Sequence, residues 1–120
     1  MLELECPAEL RSAAMAALDA CDVRDGHLSV ELVDPERIRE LNREHRGLDR
    51  PTDVLSFPVD GVGPATGPRE LGDVVICPAH TEDLEEAVVH GVLHLAGHDH
   101  EADAGEMLAL QDQVMERLRA

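Results

Sequence analysis

Tryptophan, tyrosine and lysine are absent from the chain, and Phe57 is its one aromatic residue. A platform of rings stacking on successive nucleobases is thereby all but excluded, and the core must be assembled from Leu, Val, Ile, Met and Ala. Cysteine is scarce as well: Cys6, Cys21 and Cys77 are odd in number, widely spaced and without a Cys-x-x-Cys pair. That argues against a disulfide framework or a thiolate zinc site and fits a reducing cytosol. No apolar run approaches the roughly 20 residues that span a bilayer, and the acidic start MLELECPAEL lacks a basic stretch followed by an apolar one. A soluble cytoplasmic protein without a membrane partner is expected.

Negative charge is abundant. Asp and Glu number 26 against 10 basic residues, all arginine, for a formal charge of -16. Loose binding of polyanions over the whole surface is excluded by that balance. The 120 residues suit one domain, residues 1–120, large enough to hide about 60 to 70% of its unfolded surface.

Hydrophobic spacing organises the chain. Leu2 to Glu5 alternates as a half-buried strand does, and residues 7–20 carry Leu10, Ala13, Ala14, Ala17 and Leu18 at helical spacing. A second strand is expected over His27 to Val33, and Asp34 with Pro35 opens a helix whose inner face is Ile38 and Leu41. Residues 51–58 read as a short strand closed by proline, 59–70 as a Gly- and Pro-rich loop, and Leu71 to Pro78 as a buried strand. Thr81 is the expected cap of a helix with Glu82 and Asp83 in its first turn, stopping at Gly97. A last helix is expected from about Asp103 to Arg119, its stripe formed by Met107, Leu110 or Gln111, Val114 and Leu118. The expected architecture is a small α/β (α+β) fold with a mixed sheet of about four strands. The helix over residues 82–95 is apolar around most of its circumference, as a centrally buried helix is.

The remaining arc of that helix carries His90 and His94, one turn apart. Two imidazoles at this spacing can meet one ion at about 2.0–2.1 Å. Gly97 lets the chain turn back and bring His100 to a third vertex. Three neutral imidazoles with an open position make a catalytic zinc layout, whereas structural sites are closed by four protein ligands. The plainer reading is surface histidines without an ion. It is weakened by the apolar helix, because burying such rings without a shared partner costs several kcal/mol. His98 and Asp99 stay open as ligand, orienting partner or solvated loop, and His27, His45 and His80 have no partner legible in sequence. The spacing is also that of metzincin proteases, His-Glu-x-x-His-x-x-Gly-x-x-His, but the position of their general base is Gly91 here.

The segment His90 to His100, HGVLHLAGHDH, closely resembles the signature of the YbeY-type endoribonuclease family. Leu41-Asn42 through Arg46, Asp49 and residues 51–58 (PTDVLSFP) resemble its second block, and residues 71–76 (LGDVVI) its third. The resemblance covers most of residues 41–100. It implies a single-strand-specific, metal-dependent endoribonuclease acting in ribosomal RNA maturation, chiefly of the small-subunit RNA, and in ribosome quality control. It implies His90, His94 and His100 as ligands of one metal ion, usually zinc, and Arg46 as the functional arginine. Ribosomal RNA and ribosome or small-subunit proteins are the implied partners, and DNA is not. Two departures stand out: His98 replaces a frequent Tyr, and the loop over 59–70 is short and less acidic.

Imidazole ligands also suit nickel, copper and iron. From Arg37 to Arg50 five arginines face three acids, whereas residues 81–120 hold ten acids and two arginines. A local cluster of this kind can hold phosphates while the rest of the surface repels them; the plainer alternative is an ion-paired helix face. Ser56 has no nearby base in sequence and is read as structural or substrate-contacting, and Met107 as core. Two other classes remain: a ribosome-assembly binding factor with a structural metal, and a metallohydrolase acting on peptides or small molecules, against which Gly91 already speaks.

Overall fold

The computed structural model describes residues 2–59, 70–98 and 104–120. Its elements alternate: β1 (Leu2–Glu5), α1 (Arg11–Ala20), β2 (Gly26–Leu32), α2 (Pro35–Arg46), β3 (Val54–Pro58), β4 (Glu70–Ile76), α3 (Leu84–Leu95) and α4 (Glu106–Leu118). The four strands form one mixed sheet in the order β1-β2-β4-β3. β2 pairs in parallel with β1 and β4, and β3 runs antiparallel along the free edge of β4. Such parallel pairs need a long crossover, and α1 and then α2 with β3 supply them.

The expected fold class and the four-stranded mixed sheet are borne out, with small shifts at the ends. The first helix is preceded by a 3-10 turn, Ala8–Leu10. β4 begins one residue early, at Glu70, and gives way after Ile76 to a 3-10 turn over Pro78–His80. Thr81 does not cap α3. Its hydroxyl donates to the Cys77 carbonyl at 2.7 Å, while Asp83 is the cap and accepts from the Glu86 amide at 3.1 Å. On α2 the fully buried positions are Ile38 and Asn42, with Leu41 only half-buried. The expected loop over 59–70 and the start of the last helix at Asp103 fall largely outside the described residues.

Burial follows the apolar pattern. Ala13, Ala14, Ala17 and Leu18 of α1, Leu28 and Val30 of β2, Val74 and Ile76 of β4 and Met107 of α4 join one cluster. At its centre, α3 buries Ala87, Val88, Val89, Gly91, Val92, Leu93 and Leu95. Each fully buried Val or Leu contributes about 1.5–3 kcal/mol, so α3 is the most firmly seated of the described helices. Gly91 makes that seating possible: a Cβ there would lie 2.5 Å from Val74 Cγ1.

Candidate functional site

Because α3 is buried on most sides, few of its positions are open, and three of them, Glu86, His90 and His94, face one cleft. The cleft has a volume of about 1320 Å³ and is lined by His90, His94 and His98, by the edge strand β3, by the end of α2 with His45 and Arg46, and by Gln111 of α4. The structure thus brings together His90, His94 and Arg46. His100 and Asp99 lie outside the described residues. Among the described residues, no three His, Cys, Asp or Glu side chains converge on one point.

The His90 and His94 rings stand edge to face, 4.8 Å between centroids and inclined by 75°. The Nδ1 of His90 lies 2.8 Å from Oε1 of Gln111. Two imidazoles so placed, one held from behind by an amide carbonyl, suit zinc and related borderline ions. The pair therefore fits a metal, with His100 as the expected third ligand. Gly97, at φ +99° just past the end of α3, takes a left-handed conformation that turns the chain out of the helix.

Position 91 cannot supply a general base. Its backbone lies against Val74, and its carbonyl accepts a hydrogen bond from Ser56 Oγ at 3.1 Å. Ser56 thus joins β3 to α3, in keeping with its structural reading. Asp83, near the start of α3, is held by Arg119 of the C-terminal end, at 2.6 and 2.8 Å. That guanidinium keeps the Asp83 carboxyl below the usual range.

The arginine cluster divides. Arg37 pairs with Glu40, and Arg39 grips Asp49 through two nitrogens at 2.8 and 3.2 Å. The Arg39 bond lowers the Asp49 pKa. These two arginines follow the ion-paired reading. Arg46, the last residue of α2, makes no ion pair among the described residues and lines the cleft. The following chain is tied down by Asn42, whose Nδ2 donates to the Arg50 carbonyl at 2.9 Å.

Several partnerships escaped the sequence reading. Gln111 was an alternative on the α4 stripe; a polar residue on an apolar stripe was the signal. His45 and His80 both line the cleft, and the His45 ring packs 4.7 Å from Phe57 at 57°. Thus the lone aromatic side chain reaches the site after all. His27 has partners, Glu70 at 2.8 Å and Glu5 at 3.6 Å, across adjacent strands.

The family profile described as Endoribonuclease YbeY matches residues 4–119. A protein named endoribonuclease YbeY from Rubrobacter xylanophilus is 52% identical over 99 residues, covering 80% of this chain and 70% of that protein. Its namesake from Persephonella marina is 36% identical over 126 residues, covering 92% of this chain and 82% of that one. A solution structure from Thermotoga maritima shares the fold with a TM-score of 0.59 and 29% identity, over 98% of this chain and 89% of that one. The chain belongs to the YbeY endoribonuclease family.

Proposed function

We propose that this protein is a metal-dependent endoribonuclease that cuts single-stranded RNA, with ribosomal RNA, chiefly that of the small subunit, as its substrate in maturation and quality control. The observation that carries the reading is that His90, His94 and Arg46 line one cleft, in a chain of this family. His90 and His94 would hold the ion together with His100, zinc being the proposed metal and nickel an alternative. A metal so bound supplies Lewis acidity and an activated water at neutral pH.

The remaining work falls to side chains of this chain. The Arg46 guanidinium, planar and permanently charged, binds a phosphate and neutralises charge that develops on its oxygens during cleavage. The formal charge of -16 repels RNA over most of the surface, and since Asp53, Glu82, Asp83 and Glu86 also line the cleft, Arg46 is the lining residue whose permanent charge favours a phosphate there. Ribosome or small-subunit proteins are the proposed partners, and the cytoplasm the proposed location. A peptidase of the metzincin kind is disfavoured by geometry, because the position of its base is pressed against Val74.

The test is cleavage of a labelled single-stranded RNA by purified protein beside His94→Ala prepared identically. Cutting by the wild type alone, with metal lost from the variant, supports the reading. Equal cutting by both proteins, or none by a metal-loaded wild type, would defeat it and favour an assembly factor that binds without cutting.

A further inference from the structure

Gln111 is 8% exposed and sits on the α4 stripe between the buried residues Met107 and Val114. A primary amide in such surroundings has given up water and must be hydrogen-bonded to be tolerated. Its Oε1 meets His90 Nδ1 at 2.8 Å, across the packed interface of α3 and α4. An amide oxygen only accepts, so Nδ1 must carry the hydrogen. In a neutral imidazole Nε2 then carries the lone pair.

We infer that Gln111 is a positioning residue: it fixes His90 in the Nδ1–H tautomer, and so presents Nε2 as the nitrogen that ligates the metal. This rests on the preceding reading of His90 as a ligand. The amide is well suited to the task, because α3 and α4 belong to the same core cluster and hold both partners on rigid helices. Without that acceptor, α4 no longer favours the ring form that carries its hydrogen on Nδ1.

Two variants test the assignment, Gln111→Met, which removes the acceptor at nearly constant volume, and Gln111→Glu, which keeps it. Ring-nitrogen NMR of the metal-free protein should show His90 as Nδ1–H in the wild type and in Gln111→Glu, and with an increased share of Nε2–H in Gln111→Met. Zinc affinity, measured by competition with a chelator, should fall about 10- to 100-fold in Gln111→Met and stay within a few-fold of the wild type in Gln111→Glu. Thermal unfolding of the metal-free proteins separates this loss from a damaged fold. A wild-type His90 with hydrogen on Nε2, or a Gln111→Met protein with unchanged tautomer and zinc affinity, would overturn the inference. Should Gln111→Met fail to fold, a tenfold loss of zinc affinity in Gln111→Glu would overturn it equally. A wild type that binds no zinc defeats the metal reading instead, while the NMR result still decides what Gln111 does.

Discussion

The two faces of the sheet are covered to very different depths. Among the described residues, α1, α3 and α4 enclose a cluster of 20 buried residues on one face, whereas on the other α2 contributes Ile38 to a cluster of three with Leu55 and Cys77. The edge strand β3 contributes to both, since Val54 and Ser56 turn toward α3 while Leu55 and Phe57 turn toward α2. His90 and His94 belong to the deep side and Arg46 to the shallow one. This division suits the chemistry proposed for them. Metal ligands must be held to within a few tenths of an ångström, which a close-packed helix provides. A long guanidinium arm reaching for a phosphate tolerates a less rigid base.

The shallow side can be perturbed alone. Arg46→Ala removes a charge from the end of α2 without touching α3, so cleavage should slow by about 100-fold while bound zinc, assayed by metal content, stays at wild-type stoichiometry. Loss of metal along with activity would mean that the two sides are mechanically coupled and that Arg46 is structural.

The deep side is probed by Gly91→Ala. An added methyl meets Val74 Cγ1 at 2.5 Å and Cγ2 at 3.1 Å, so either Val74 or the helix must move. Overpacking of this kind typically destabilises by about 1–3 kcal/mol, against at most about 1 kcal/mol gained in helix propensity. The urea midpoint should therefore fall, and zinc affinity with it, because His90 is the adjacent residue. An unchanged midpoint with unchanged zinc binding would show that α3 is less tightly seated than its burial implies.

Residues that act through local spacing were legible in the sequence; those that act across the fold were not. His90 and His94 stand out because a one-turn repeat on an otherwise apolar helix is visible in five consecutive residues. The end of α3 at Gly97 was equally readable. Arg46 was singled out only by family resemblance, since in composition it is one of five arginines; the three-residue spacing of Arg37 and Glu40 permits their pair, but nothing local reveals that Arg39 grips Asp49 or that Arg46 faces the cleft. Thr81 and Asp83 both have capping chemistry, and the choice between them was settled by the Cys77 carbonyl, which takes the Thr81 hydroxyl. Gln111 lies 21 residues from His90, and no periodicity connects α3 to the face of α4 that covers it.

His27 gives the finest test, because it lies on neither side's helices but ties the parallel strands together. Its Nδ1 is 2.8 Å from Glu70 on β4 and its Nε2 3.6 Å from Glu5 on β1. The hydrogen bond to Glu70 raises the His27 pKa above 6.5, aided by the charges of both glutamates and opposed by burial. A folded-state pKa above the unfolded value means that the native protein favours the protonated ring. The resulting stability is complete on the acid side of the unfolded value, near 6.5, and is lost as pH rises through the higher folded value. His27→Gln should thus lower the urea midpoint slightly at about pH 5.5 and have less effect at about pH 9, with added salt shrinking the difference. Zinc affinity and RNA cleavage at neutral pH should match the wild type, since neither helix layer is disturbed. A midpoint difference that is equal at both pH values would mean that His27 contributes by packing alone. A change in zinc affinity would mean that strain at the parallel strands reaches α3, and the deep side would then be less insulated than its thickness suggests.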